Sequence, residues 1–381
     1  MPNRASAASR SASDRSEWRF LYVFPGPGQA QSGSNMAAFQ GELDSFRRPM
    51  AKAAARESAV RHENGKKMTI AFLFPGQGSQ AVGMGAELAA SFSSARMVFE
   101  EVDAALGQKL SDVMFHGPLE TLTLTENAQP ALMAVSLAVI RVLEKEKGYS
   151  LAQSAKFVAG HSLGEYSALA AAGAFSIADT ARLLKLRGQS MQAAVPVGQG
   201  AMAALLGVGL DAGRALAAEA AQGDVCEVAN DNEPTQVVIS GAKTAIDRAG
   251  ELAKKHGVRR FMPLNVSAPF HCAMMQPAAD AMADALGRIA IRAPAVPVVA
   301  NVVATAVTDP DEIRKRLVEQ VTGTVRWREC IAYMAQQGVT QFCEAGSGKV
   351  LAGLAKRIAK DVDAVSIGAP ADIDAALAKL I

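Results

Sequence analysis

The sequence predicts an α/β protein, a large α/β body interrupted by a smaller unit of ferredoxin-like order. Three observations lead there. From residue 69 onward, short apolar runs ending at Gly or Pro alternate with segments of helical period. Between residues 200 and 265 the pattern becomes β-α-β-β-α-β, the ferredoxin-like succession. The first pattern then resumes at 297–300 and 340–344, so the small unit reads as an insertion.

Taken in order, residues 1–67 stand apart. Their start is rich in Ser, Ala and Arg and shows no sustained period, which reads as a disordered extension with Met68 as the functional beginning. The rival reading is a transit peptide, since Arg-rich, Ser-rich and acid-poor is that signature. Phe24-Pro25-Gly26-Pro27-Gly28-Gln29 faintly echoes a later motif and receives no role. The body opens with Ile70–Phe74, an apolar run entering a Pro-Gly loop, as a buried strand does. Helical patterns follow at 87–106 and 131–145, a short strand at 157–159, and a small-residue helix over 163–172 that stops at Gly173. In the insert, 201–206, 225–229, 236–240 and 259–266 read as strands, and 211–221 and 245–256 as helices. The domains expected are therefore a large one from 68–197 and 267–381, and a small one from 198–266, with the cleft between them the natural place for a site.

Composition excludes several classes. Hydrophobic content of 50% and charged content of 20% suit a soluble globular chain able to bury a core. Net charge is +2, so no basic footprint for nucleic acid is visible. The basic excess lies in residues 1–67, with 11 Lys+Arg against 6 Asp+Glu. The four cysteines form no C-x-x-C pair and have no zinc spacing with the five histidines, which points to free thiols, a reducing compartment and no metal. No apolar run approaches the ~18 residues of a membrane span.

The strongest chemical signal is Gly160-His161-Ser162-Leu163-Gly164, preceded by a strand and followed by a helix. Glycines flanking a serine permit a sharp turn that lifts the hydroxyl to a helix N-terminus, where peptide dipoles favour developing negative charge. A chance match in this length is expected roughly 0.1 times. Ser162 is read as a nucleophile, against a merely structural turn. A serine needs a base. His62 lies in the extension, and His161 adjoins Ser162 but leaves the turn in another direction. His256 ends a surface helix. His271, in the loop Ser267-Ala268-Pro269-Phe270-His271, is the better candidate, against an ordinary loop histidine. The loop Phe74-Pro75-Gly76-Gln77-Gly78-Ser79-Gln80 suits phosphate or an oxyanion, since bare N–H groups can approach closely. It is neither a P-loop nor G-x-G-x-x-G. Arg187 alone reads as a solvated helix charge, and Cys272 as a buried thiol rather than a rival nucleophile.

With these segments together, the chain from about Met68 resembles the malonyl-CoA:acyl carrier protein transacylase family. The resemblance rests on five motifs in order: the Phe74–Gln80 loop; Gly160-His161-Ser162-Leu163-Gly164-Glu165-Tyr166-Ser167-Ala168; Arg187-Gly188-Gln189-Ser190-Met191-Gln192; Gln236-Val237-Val238-Ile239-Ser240-Gly241; and Glu344-Ala345-Gly346-Ser347-Gly348-Lys349. It implies an α/β-hydrolase-like large domain with a ferredoxin-like insert. It implies a Ser162–His271 dyad, an oxyanion hole from the backbone N–H groups of Gln77 and Leu163, and Arg187 as partner of the substrate carboxylate. A backbone carbonyl, placed at Arg326 in Val325-Arg326-Trp327, is expected to orient the histidine. Phe270 resembles the version in malonyl-selective relatives, leaving little room for a branched extender unit. The partners implied are malonyl-CoA and acyl carrier protein, with no cofactor, in a cytoplasmic monomer; an organelle matrix replaces the cytoplasm if residues 1–67 are a transit peptide.

Three alternatives remain beside this reading. An esterase or thioesterase would place its histidine late, after an acid, yet no histidine follows His271. A non-catalytic scaffold would have lost Ser162 or His271. Polyketide synthesis or malonate decarboxylation would keep the chemistry and change only the pathway.

Overall fold

The structure, a computed structural model, describes residues 68–266 and 268–380. The expectations for residues 1–67 and for the motif echo at 24–29 lie outside these residues. Among the described residues, no helix is long and apolar enough to cross a membrane.

The larger sheet contains β1 (Ile70–Phe74) and β2 (Ala155–Gly160) at its centre. The smaller sheet is built from β3 (Gly200–Leu206), β4 (Cys226–Glu233), β5 (Gln236–Ala242) and β6 (Arg260–Pro263). The chain then returns to the larger sheet with β7 (Val298–Val299), β8 (Ala306–Val307), β9 (Gln341–Ala345) and β10 (Asp363–Ile367). The larger sheet has the order β10-β9-β1-β2-β7-β8 and is parallel except at its edge, where β8 runs antiparallel to β7.

A parallel sheet covered on both faces needs strands that are apolar on both faces. β1 meets this requirement, with all five residues buried. Ile70, Phe72 and Phe74 pack into one layer with helices Thr125–Lys145 and Ile177–Ala194. Ala71 and Leu73 point into the other, with Trp327, Ile331 and Leu354.

The smaller sheet is antiparallel, in the order β4-β5-β3-β6. Its alternation sorts its faces. Ala203, Leu205, Val237 and Ile239 pack against helices Leu210–Ala221 and Lys243–Leu252. Met202, Ala204 and Val238 face the other way, toward Leu264, Val266 and Phe270. The edge strand β4 is tied to the larger body by backbone bonds, Val325 N–H to the Ala229 carbonyl at 2.8 Å and Asp231 N–H to the Val325 carbonyl at 2.9 Å. Arg328 pairs with the fully buried Asp231 at 2.7 Å beside them.

Three elements differ from their expected form. The helix expected over 87–106 is two helices, Ala86–Ser91 and Ser93–Leu106, broken at Phe92. The second starts where the backbone N–H and hydroxyl of Ser94 both donate to Glu146, at 3.0 and 2.6 Å. That acceptor lies far along the chain, where a local pattern cannot show it. The helix expected from 131 begins at Thr125 and runs through Pro130, a residue that ordinarily marks a helix start. The final strand of the small unit closes over only Arg260–Pro263, where β3 offers partners.

Candidate active site

β1 and β2 pair in register to their ends, Phe74 opposite Gly160. The Gly-rich loop after β1 and the turn after β2 therefore leave the sheet side by side. His161 N–H donates to the Phe74 carbonyl at 3.0 Å. The turn is too tight for side chains at its ends. A Cβ on Gly160 would lie 1.9 Å from the Gly164 carbonyl, and one on Gly164 would lie 2.2 Å from the Phe74 oxygen. Between them Ser162 adopts φ 53, ψ −110, a strained conformation for a residue with a side chain. Helix Leu163–Ala171 starts at once, so the Leu163 N–H is among its unpaired donors.

Ser162 Oγ lies 2.8 Å from His271 Nε2. His271 is itself in the left-handed region at φ 59, the second strained residue of the pair. Its Nδ1 faces the Gln320 carbonyl at 2.8 Å. A carbonyl only accepts, so Nδ1 carries the proton and Nε2 is left free to receive one from Ser162. Burial, followed by the Arg187 cation, pushes the His271 pKa down to about 3, so the ring is neutral at physiological pH.

The carbonyl that meets His271 Nδ1 belongs to Gln320, not to Arg326 as expected. The Arg326 carbonyl accepts from Cys330 N–H at 2.9 Å in the first turn of helix Trp327–Gln336, and its side chain pairs with Glu329 at 2.5 Å. Gln320 stands in the last turn of helix Pro310–Thr322, where carbonyls have no partner within the helix. One such orphan receives His271.

Arg187 is not a solvated helix charge. It is 1% exposed. Its Nη1 donates to Gln129 Oε1 at 2.8 Å, and its Nη2 donates to Gln320 Oε1 at 2.9 Å and to Ser162 Oγ at 3.1 Å. Among the described residues its Nε has no hydrogen-bond partner. Burial bears against the guanidinium charge and lowers its pKa, with Tyr166 and Glu165 acting the other way. The side chain is thus a buried cation with donor capacity to spare at the nucleophile.

The cleft around these groups has a volume of about 290 Å³. Gln77, Leu163 and Phe270 line it, together with Met191, Met202 and Leu264. The small sheet's second face is one of its walls. A larger, more open basin of about 570 Å³ near Arg214 and Arg326 contains neither Ser162 nor His271. His161 turns away from the pair, bonding Asn232 at 2.9 Å and packing on Trp327. Cys272 is buried with its thiol pushed up to about 11 by burial, so it supplies no thiolate.

Sequence reasoning missed three residues behind the pair. Asn301 accepts from Ser162 N–H at 2.8 Å and donates to the Gly160 carbonyl at 2.8 Å, clamping the turn from both sides. The Ser162 N–H is thereby occupied by the Asn301 side chain. Glu165 Oε2 accepts from Asn301 N–H at 2.8 Å and from Gln320 Nε2 at 2.9 Å. Burial pushes the Glu165 pKa up to about 7, against the bonds from Asn301 and Gln320 and the Arg187 charge. Gln320 is the third. A signal existed for Glu165, a single charge in an otherwise apolar helical segment.

The family model described as "Acyl transferase domain" matches residues 71–368. A malonyl CoA-acyl carrier protein transacylase of Escherichia coli (strain K12) is 48% identical over 309 residues, 81% of this chain and 98% of that protein. The crystal structure of an acyl-carrier-protein-S-malonyltransferase from Bartonella henselae superposes with a TM-score of 0.80 at 55% identity, covering 82% of this chain and 99% of that one. A malonyl-transacylase in complex with its type II PKS acyl-carrier protein superposes with a TM-score of 0.79 at 43% identity, covering 81% and 99% of the two chains.

Proposed function

Because the chain belongs to the acyl transferase family, as a malonyl-CoA:acyl carrier protein transacylase, we propose that it moves the malonyl group through an ester on Ser162. The enzyme transfers malonyl from malonyl-CoA to the phosphopantetheine thiol of acyl carrier protein, supplying extender units for fatty acid synthesis. The observation that carries the route is the 2.8 Å contact between Ser162 Oγ and a neutral His271 Nε2.

In the first half-reaction Ser162 Oγ attacks the thioester carbonyl while His271 Nε2 takes its proton. The negative charge on the tetrahedral oxygen is held by the N–H groups of Gln77 and Leu163, the latter at a helix N-terminus. Collapse breaks the C–S bond, and coenzyme A leaves with the proton from His271. In the second half-reaction His271 takes the proton of the carrier thiol, whose sulfur attacks the malonyl ester. Collapse returns the proton to Ser162. The Gln320 carbonyl keeps Nδ1 protonated and the ring in place throughout, and supports the transient imidazolium.

Arg187 reads the acyl group. In the free enzyme its Nη2 donates to Ser162 Oγ. The malonyl carboxylate takes over that donor, freeing the hydroxyl for attack, while Gln129 and Gln320 hold the guanidinium plane. Phe270 narrows the cleft against branched acyl groups. An esterase-type triad fits less well, because His271 Nδ1 meets a carbonyl rather than a carboxylate.

The two sheets support a large α/β-hydrolase-like domain from residues 68–197 and 267–381, with a ferredoxin-like insert over 198–266. The insert's strand order, β4-β5-β3-β6, is consistent with that reading. A dyad complete within one chain supports a monomer, and four buried free cysteines support the cytoplasm. The test is transfer from radiolabelled malonyl-CoA to purified carrier protein, with acetyl- and methylmalonyl-CoA as competitors. Malonyl transfer that neither competitor suppresses supports the reading; equal use of acetyl-CoA contradicts it.

A further inference from the structure

We propose that Glu165, which touches neither substrate nor the reacting atoms, is the positioning residue that holds Ser162, His271 and Arg187 in one arrangement, through Gln320 and Asn301. The inference rests on the function proposed above and assigns that site a component beyond its dyad and carboxylate reader.

The Gln320 side chain is bonded at both ends of its amide. Its Oε1 accepts from the Arg187 guanidinium at 2.9 Å, and its Nε2 donates to Glu165 Oε2 at 2.9 Å and to the Ser162 carbonyl at 3.1 Å. A cation on one side and an accepting carboxyl oxygen on the other leave the amide one orientation, because a flipped amide would set N–H against N–H and O against O. The same residue's backbone carbonyl receives His271 Nδ1–H. One residue thus touches the acyl-reading cation, the base and the nucleophile's peptide, and its own position depends on Glu165.

Asn301 depends on Glu165 as well. The Asn301 backbone N–H is bound to the same Oε2 at 2.8 Å. Its side chain then spans the turn from the Gly160 carbonyl to the Ser162 N–H. Ser162 is strained, and a strained turn persists only where its surroundings over-determine it. Glu165 lies three residues after Ser162 in the first turn of the same helix, is fully buried, and closes the ring of contacts back to the turn.

Both bonds converge on one carboxylate oxygen. Glu165→Gln can keep both with its amide oxygen, whereas Glu165→Ala loses both. Gln320→Leu removes the amide and leaves the orienting carbonyl in the backbone. The experiment is a double-mutant cycle on the single-turnover rate of Ser162 malonylation, with thermal midpoints recorded for every variant. Glu165→Ala and Gln320→Leu are each expected to slow acylation about 10–10²-fold, the scale of a misplaced reacting group. The double variant should be no more than about 3-fold slower than the slower single, because the two act as one unit. Glu165→Gln should recover to within about 5-fold of the unaltered enzyme, on the same reasoning. Rates that multiply in the double variant, or a folded Glu165→Gln as slow as Glu165→Ala, would overturn the proposal. If Glu165→Ala does not fold, Glu165→Asp, which withdraws the oxygen by one methylene, replaces it in the cycle. An unaltered enzyme that never acquires malonyl on Ser162 would refute the proposed function. Multiplying rates in an enzyme that does acquire it refute only the role of Glu165.

Discussion

The Nδ1–H of His271 donates to the backbone carbonyl of Gln320 at 2.8 Å, in the last turn of helix Pro310–Thr322. A triad of the usual kind would place a carboxylate there. A carbonyl at a helix C-terminus supplies partial negative charge without a titratable group, and the macrodipole adds to it. The histidine is thereby oriented while staying neutral between turnovers.

His271→Ala should slow both malonylation of Ser162 and transfer to the carrier, since one base serves both steps. Loss of a general base is worth about 10²–10⁴-fold. Rapid-quench measurement of each half-reaction checks this. A variant slowed in only one would require a second base.

Arg187→Ala should lower kcat/KM for malonyl-CoA by at least about 10²-fold, the scale of a truncated buried charge pair. Relative use of acetyl-CoA should rise, because the unpaired guanidinium that penalises acetyl is gone. Lysine should restore activity only in part, lacking the fork that Gln129 and Gln320 hold. The readout is the malonyl-to-acetyl ratio of kcat/KM. A ratio that stays constant while both rates fall makes Arg187 structural.

Gly160→Ala should be poorly tolerated, because the new Cβ would stand 1.9 Å from the Gly164 carbonyl in the backbone. Relief requires moving the turn, at a cost of about 3 kcal/mol or more. Chemical denaturation of purified protein checks the stability. A variant with unaltered midpoint and acylation rate would show the turn to be less tight than its geometry implies.

The pH dependence has two parts. In the folded protein Glu165 holds its proton up to about 7, whereas the unfolded chain releases it near the ordinary carboxyl value. Stability contributed by this group is therefore full at acid pH and is lost as pH rises through about 7. That fall should be absent from Glu165→Gln in thermal melts across the range. In the same variant, free of that carboxyl, acylation should stay within about 2-fold down to a pH of about 5.5, where an ordinary imidazole would lose about 10-fold. An acid limb centred near 6.5 would show that His271 titrates normally.

What the sequence revealed of the site follows from which groups carry the chemistry. Ser162 and its flanking glycines are legible because a strand, a tight turn and a helix all constrain residue type within a few positions. His271 stands out only as a loop histidine, and it is the family resemblance that implies its role as the base. Arg187 was not legible as a buried cation, since its burial arises from the packing of its own helix against Thr125–Lys145 and from Gln129 and Gln320, groups distant in sequence. The Gln320 carbonyl was not legible, because a backbone carbonyl leaves no mark on residue identity; only a helix end reveals it. The α/β alternation and the insert's succession were readable from period alone. The break at Phe92 was not, and the acceptor beside it, Glu146, stands on another helix end.

Transfer through Ser162 requires a malonyl-Ser162 intermediate that forms without the carrier. The enzyme is incubated with malonyl-CoA alone, quenched in acid, and its peptides are analysed by mass spectrometry; a parallel sample receives carrier protein before the quench. One malonyl group is expected on the peptide bearing Ser162, none on Ser162→Ala, and its movement onto the carrier when the carrier is added. Malonyl on another residue, or a malonyl-Ser162 that the carrier does not discharge, would contradict it.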